Sequence, residues 1–323
     1  MSQRHGIAAV LFLAAAAAAA VQAVRPALPV DAAADEAARF VAGLPCSSDP
    51  WQRLQETEEW KSFAAGLEKS WADLEAKRLA PMREWSGTEL ALANAETRTV
   101  FYPFGGPDLL TPLVLFPDAD VYLLLGLEFV GRLPDFEKAV PESAGVYLAD
   151  LSLALGDFLK KSYFITRNMD ATLYGNKVDG VLPLLAFFLK REGFVISSVK
   201  RVDFPESGEA ALTDFALAPK GRRPYGVKIE CFAGGTNRLR TVYYFSADLA
   251  DAAFREDSPF HAHLDRTAFE TTYIKSASYL PHYKEFSNIR NMILAKSRFV
   301  LQDDTGVPFR HFSPAEWSRE LYG

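Results

Sequence analysis

A glycine pair with an acid close behind it, and a second acid farther along the chain, are the residues best suited to ligand chemistry. They are Gly105, Gly106, Asp108 and Glu128. Glycines let a ligand approach the backbone, and a helix that follows them offers its free N–H groups to that ligand. A carboxylate that ends the next strand can accept hydrogen bonds from ligand hydroxyls. We therefore predict a ligand-binding turn formed by these residues.

The elements that must position this turn form a βαβ unit. Residues 98–104 are β-branched and aromatic and predict a strand, and residues 109–116 predict a short apolar helix. Residues 121–127 are almost continuously apolar, as in a strand that is covered on both faces. The two strands are expected to be parallel, with a right-handed crossover.

Residues 97–131 resemble the opening of the S-adenosylmethionine-dependent methyltransferase fold. Gly105 and Gly106 match the first glycine motif of that family, and Glu128 matches its ribose-binding acid. The resemblance implies a Rossmann-like domain. It departs from the family because the third glycine is missing and Pro107 stiffens the turn. The fold is therefore the expectation and no cofactor is predicted, while a tight turn without a ligand stays an alternative.

Two further stretches, Tyr-Pro-Phe-Gly-Gly-Pro-Asp at 102–108 and Gln-Asp-Asp-Thr-Gly at 302–306, resemble an uncharacterised family of exported bacterial proteins. This resemblance implies no activity.

The first 23 residues predict a cleavable signal peptide. Arg4 precedes an apolar, Ala-rich stretch over residues 7–21, which is shorter than the roughly 20 residues of a membrane-spanning helix. Val21-Gln22-Ala23 fits a signal peptidase site, so cleavage is expected after Ala23. An uncleaved anchor helix is the alternative. We expect a soluble periplasmic or secreted protein without a later membrane segment.

Composition limits the partners. The formal net charge of −6 argues against nucleic acid, and an apolar fraction of 49% allows a large core. Cys46 and Cys231 are the only cysteines. An oxidising compartment would permit a disulfide between them, and two separate buried thiols are equally compatible with the sequence.

The rest of the chain predicts a helical N-terminal segment, residues 24–95, and an α/β domain, residues 96–323. The segment contains helix 30–44, with Ser48 as the cap of the next helix. Trp60, Phe63, Leu67, Trp71 and Leu74 then form one apolar helical stripe that predicts core packing.

Beyond the βαβ unit the pattern alternates helices and strands. Helices are predicted at 142–161, 181–192 and 282–297, and strands at 194–204, 225–232, 239–246 and 298–302. The glycine-containing turn at 233–237 indicates an antiparallel hairpin. The fold expectation is a Rossmann-like mixed α/β sheet with an antiparallel extension and an N-terminal helical segment.

Two motifs resemble known metal or catalytic sites but are not predicted to form one. His261, His263 and Asp265 resemble the zinc ligands of the metallo-β-lactamase fold, but Arg266 replaces a histidine and the stretch predicts a helix, so no metal site is expected. Ser197 and Lys200 have the S-x-x-K spacing of penicillin-recognising enzymes. They lie in a predicted strand, where residues three apart face opposite ways.

A group of polar residues lies near predicted element ends, where site residues collect. They are Tyr163, Arg167, Asn168, Lys275, Arg290, Asp303 and Asp304. Two functions follow from the sequence: a non-catalytic exported protein that binds a small molecule or an envelope partner, or an exported enzyme with Asp108 and Glu128 as its acids. The sequence determines neither the ligand nor the oligomeric state.

Overall fold

The computed structural model of the chain describes residues 28–135, 141–161, 178–206, 209–214, 224–275 and 277–322. The predicted signal peptide and its cleavage site after Ala23 lie outside these residues. So do three of the polar candidates, Tyr163, Arg167 and Asn168.

One eight-stranded sheet forms the centre of the protein. Its strands are β1 Thr99–Tyr102, β2 Val121–Gly126, β3 Phe194–Asp203, β4 Ala211–Thr213, β5 Tyr225–Ala233, β6 Leu239–Ser246, β7 Thr271–Ile274 and β8 Phe299–Gln302. They lie in the order β4-β3-β5-β6-β2-β1-β7-β8. Neighbours from β6 to β8 are parallel, and those from β4 to β6 are antiparallel. The Rossmann-like α/β fold with an antiparallel extension is thus confirmed.

Helices cover both faces of this sheet. They are α1 Ala32–Val41, α2 Asp49–Gln55, α3 Glu58–Leu74, α4 Ala80–Glu89, α5 Ala91–Glu96, α6 Leu110–Leu115, α7 Pro141–Lys161, α8 Leu182–Arg191, α9 Pro259–Arg266 and α10 Ser287–Lys296. The buried residues of α1–α3 and α6–α8 form one core with one sheet face, and those of α9 and α10 form a second core with the other. The layers are therefore helix, sheet, helix.

The chain winds outward from β1 in both directions. It reaches β2 through α6 on the first face, and it reaches β7, the other neighbour of β1, after α9 on the second face. The border between β1 and β7 is therefore the point at which strand order reverses. In open α/β sheets, ligands bind beyond the carboxyl ends of the strands near this point.

The predicted stripe on α3 is core. Leu67, Trp71 and Leu74 are buried, and the Trp71 ring packs edge-on against Phe187 of α8 at 5.7 Å. A π-helical stretch, Glu75–Leu79, joins α3 to α4.

A buried ion pair attaches α1 to the domain. Lys190 Nζ of α8 lies 2.7 Å from Asp35 Oδ1 of α1, and the same oxygen accepts the Ile196 N–H of β3 at 2.9 Å. Burial lowers the pKa of Lys190, and the contact with Asp35 opposes that shift. Paired charges of this kind hold a fixed geometry because either partner alone would be costly to bury.

The predicted helix at 282–297 begins later than expected, at Ser287, after two 3₁₀ turns. Its cap is distant in sequence, because Asp251 Oδ2 and Oδ1 accept the N–H groups of Ser287 at 3.2 Å and Asn288 at 2.9 Å. No local sequence pattern predicts a helix start whose capping residue is so distant in the chain. Among the described residues, no helix has the length and apolar character needed to cross a membrane.

Candidate functional site

A cavity of about 170 Å³ opens at the carboxyl edge of the parallel strands. Residues 104–107 after β1, residues 125–128 at the end of β2 and residues 247–249 after β6 form three of its sides. Ala277, Leu280 and Phe286, which follow β7, form the fourth. Four strand ends thus meet around one space, at the edge where this fold class binds ligands.

The predicted glycine turn forms one wall of this cavity. Gly106 has a φ of 56°, a conformation that glycine adopts without strain. Its N–H donates to the carbonyl oxygen of Leu125 at 3.0 Å, which extends the contact between β1 and β2 beyond the strand ends. The ring of Tyr102 packs against Gly105, and a Cβ atom at residue 105 would overlap that ring. The two glycines thus face the cavity on one side and the protein's own side chains on the other.

Glu128 is brought to the same cavity and is 6% exposed. The hydroxyl of Tyr244 on β6 donates to the Glu128 carbonyl oxygen at 2.9 Å and lies 3.2 Å from Oε2. A Cβ atom at Gly126 would lie 2.5 Å from Oε2, so a glycine is required there for the carboxylate to lie in this position. The sequence had no means of indicating Tyr244, because the pairing of β2 with β6 arises only in the sheet.

Asp108 does not line the cavity. It is 1% exposed, and its Oδ1 accepts the N–H of Thr111 at 3.1 Å, which caps the first turn of α6. Its Oδ2 lies 2.9 Å from Lys275 Nζ and 3.2 Å from the Tyr102 hydroxyl. The two acids that the sequence assigned to one crevice therefore face different surroundings.

Three of the polar candidates lie near this region. Lys275 directly follows β7 and pairs with Asp108. Arg290 donates to the carbonyl oxygens of Pro281 at 2.8 Å and Tyr283 at 3.1 Å, and so holds the loop that contributes Leu280.

Asp303 closes a turn by accepting the N–H of Thr305 at 2.9 Å. Burial raises the pKa of Tyr273, and the carboxylates of Asp108 and Asp303 add to that effect, so its hydroxyl stays protonated.

Two residues of the site were missed by the sequence reasoning. Asp248 lines the cavity two residues after β6, just as Glu128 lies two residues after β2. An acid shortly after a predicted strand was the available signal. Ala277 has a φ of 46° and is the single non-glycine residue with positive φ in the described part of the chain. This conformation costs roughly 1–2 kcal/mol, and such strain concentrates at functional sites.

The histidines of the rejected zinc motif are packed against aromatic rings. His261 and His263 lie on α9, where their rings pack against Phe254 and against Phe204 and Phe245. Burial lowers the pKa of His263. The residues that the structure describes include no cluster of three or more histidine, cysteine or acidic side chains able to hold a metal ion.

Ser197 and Lys200 lie on β3, as expected. The ammonium group of Lys200 pairs with Asp214 at 2.6 Å. The two cysteines are buried and not bonded to each other. Burial raises the pKa of Cys46 and that of Cys231 to about 12, so both thiols are protonated and unreactive.

Comparisons of this chain with protein-family models, with curated proteins and with solved structures find no match.

Proposed function

We propose that this protein is an exported binding protein that holds a small molecule in the cavity at the carboxyl edge of the sheet. The observation that carries the proposal is the buried carboxylate of Glu128 in the cavity wall, next to Gly106, which also lines the cavity. A carboxylate in that position accepts hydrogen bonds from hydroxyl or ammonium groups of a ligand. Phe104, Leu280 and Phe286 supply apolar contact opposite it.

The size of the cavity limits the ligand. A dry engineered cavity of roughly 150 Å³ admits a benzene ring, whereas sites for drug-sized ligands are roughly 300–1,000 Å³. A volume of about 170 Å³ therefore matches one ring-sized group. We infer a ligand with a ring that carries hydroxyl or amino groups, the remainder of which extends into solvent past Asp248.

The walls are held in place before any ligand arrives. Arg290 fixes the loop that carries Leu280 through two main-chain carbonyl groups, and Ala277 keeps a strained backbone at its start. Phe104 and Phe286 contact each other with ring centroids 6.1 Å apart. A preorganised wall supports binding because less conformational entropy is lost when the ligand arrives.

An exported enzyme, with methyl transfer as its chemistry, is the second candidate. The strand order β6-β2-β1-β7-β8 supports it, because it equals the 3-2-1-4-5 order of dinucleotide-binding sheets. The placement of Asp108 opposes it. That acid caps α6 and pairs with Lys275, so Glu128 alone of the two proposed acids faces the cavity.

Export from the cytoplasm belongs to the same proposal and rests on residues 1–23 of the sequence. A binding role fits that compartment better than methyl transfer, since a supply of S-adenosylmethionine is not expected there.

The test is a thermal-shift screen of the wild type, Glu128→Gln and Asp304→Asn. The compounds are S-adenosylmethionine, adenosine, adenine nucleotides, simple sugars and amino sugars. We expect at least one hydroxyl- or amine-bearing ring compound to raise the Tm of the wild type and of the exposed control Asp304→Asn, and not that of Glu128→Gln. An equal shift in Glu128→Gln, or no shift for any compound, would contradict the site. Transfer of a methyl group from S-adenosylmethionine to any acceptor would favour the enzyme.

A further inference from the structure

A second, larger space lies on the helical layer, away from the strand ends. It is a groove of about 820 Å³ between α3, with the π-helical stretch after it, and α7. The two helices run side by side in the same direction, because Glu59 contacts Gly145 near their starts and Arg78 contacts Lys160 near their ends. The groove lies along the two helices between these two contacts.

The floor of this groove is apolar. Its side chains are aliphatic or aromatic and come from both helices: Phe63, Leu67, Leu74, Leu148, Leu155 and Leu159. Phe63 and Leu159 are partly exposed, and the other four belong to the core and are at most 6% exposed. Two of the three wall serines add little polarity, because the hydroxyl of Ser70 donates to the Gly66 carbonyl oxygen at 3.0 Å and that of Ser152 to the Leu148 carbonyl oxygen at 2.8 Å. With these hydroxyl groups satisfied within their own helices, the groove offers mainly hydrocarbon surface.

Two glycines keep the groove wide. Gly66 lies within α3 and Gly156 within α7, and a Cβ atom at either would meet nothing within 4 Å. Glycine is among the poorest residues for a helix interior. Neither glycine is needed for helix packing, so their effect is to leave space between the two helices.

Charge is distributed unevenly along the groove. Lys77, Arg78 and Lys160 lie at one end, where Asp73 is the single lining acid, and Glu59 lies at the other. Lys77 contacts Asp73 at 3.0 Å in an exposed pair, and such a pair holds its side chains weakly. One end therefore attracts an anion, and the opposite end repels it.

The groove is elongated and its charge lies at one end. From Phe63 to Lys77 it extends over about 21 Å at the α-helical rise. An extended hydrocarbon chain with one anionic end matches this length and the position of the basic side chains.

We propose that the groove binds a long-chain fatty acid, with its acyl chain on the leucine floor and its carboxylate at Lys77 and Lys160. Apolar burial supplies the affinity and the basic end sets the direction of the chain. The site is separate from the cavity at the strand ends, so the two proposals stand or fall independently.

The test titrates the full chain with cis-parinaric acid, an intrinsically fluorescent long-chain carboxylate, below its micelle concentration. We expect saturable 1:1 binding that palmitate displaces. The double variant Gly66→Leu/Gly156→Leu fills the open space and is expected to weaken binding at least tenfold, with a Tm no lower than that of the wild type. The matched control is Gly87→Leu, at another helix glycine with nothing within 4 Å, and it should bind normally.

A charge-reversal pair tests the basic end. Lys77→Glu/Lys160→Glu should weaken the carboxylate at least tenfold and leave methyl palmitate as good a competitor as before, while Lys69→Glu, on the same helix outside the groove, changes neither. Absence of saturable binding, or normal binding by the leucine double variant, would overturn the proposal. A dimer that dissociates in that variant would instead identify the groove as an interface between two copies.

Discussion

The carboxylate of Glu128 lies against the backbone of Gly106, and a Cβ atom at residue 106 would lie 3.3 Å from Oε2. Gly126 completes this contact, since a Cβ atom there would lie 2.8 Å from the Gly106 Cα atom. Two glycines at the ends of adjacent parallel strands thus leave room for one buried acid. The cavity wall depends on this arrangement because a larger residue at either position would displace the carboxylate.

The first prediction concerns Gly126→Ala. The new Cβ atom would lie 2.5 Å from Glu128 Oε2 and also crowd Gly106, and overpacking of this kind costs roughly 1–3 kcal/mol. Urea unfolding followed by circular dichroism should show that loss. The control Gly87→Ala, in α4 with open space around it, should gain up to about 1 kcal/mol from helix propensity. If both variants are equally stable, the packing around Glu128 is looser than described.

The second prediction separates Asp108 from ligand binding. Lys275→Met keeps the aliphatic stem but leaves the buried Asp108 carboxylate without its cation, so the free energy of unfolding should fall by about 1–3 kcal/mol. Any ligand found in the thermal-shift screen should bind Lys275→Met as it binds the wild type. Lys284→Met is the control, because Lys284 is 92% exposed and its removal should have no measurable effect on stability. A selective loss of ligand affinity in Lys275→Met would show that Asp108 and Lys275 take part in ligand binding.

The third prediction is an alkaline loss of stability at Cys231. Its side chain is fully buried, and burial raises the pKa of its thiol from 9.0 to about 12. Between these values the folded protein keeps a proton that the unfolded chain releases, so the contribution is fully present below pH 9 and is lost as pH rises toward 12. From pH 8 to pH 10 the loss is about 1 kcal/mol.

The measurement for Cys231 compares urea unfolding of the wild type and Cys231→Ala at both pH values. Buried tyrosines titrate in both proteins and cancel, so the stability difference between them should shrink at pH 10. Ellman's reagent should find two thiols in the unfolded chain and none in the folded protein. A chain without free thiols after unfolding would show that Cys46 and Cys231 pair.

The fourth prediction is that residues 1–23 are removed on export. Expressed with its own N-terminus in a bacterium, the protein should occur in the periplasm or medium, begin at Val24 and be about 2 kDa lighter than the precursor. Ala23→Arg places a large charged residue where the peptidase needs a small one and should block cleavage. Intact mass spectrometry of the cell fractions measures the cleavage of the wild type and of Ala23→Arg. Full-length wild-type chain retained in membranes would contradict the prediction.

Local pattern sufficed for most individual elements of the fold. The continuous apolar run of β2, the parallel βαβ unit around α6 and the glycine at residue 193 after α8 all follow from side-chain periodicity and backbone preference, which act over a few residues. The strand β7 was not predicted, although its four residues are β-branched or aromatic. Without β7, the position of Lys275 beside Asp108 could not be derived.

The sequence by itself determined which residues end which strands, and so placed Gly106 and Glu128 at one edge of a sheet. Only the tertiary structure decided that Tyr244 would meet Glu128, that Asp108 would turn away toward Lys275, and that α3 and α7 would enclose a groove. The physical reason is that strand order and helix packing are set by the joint burial of distant apolar faces. No local stretch of the chain encodes such a contact, since it depends on which elements become neighbours when the whole core forms.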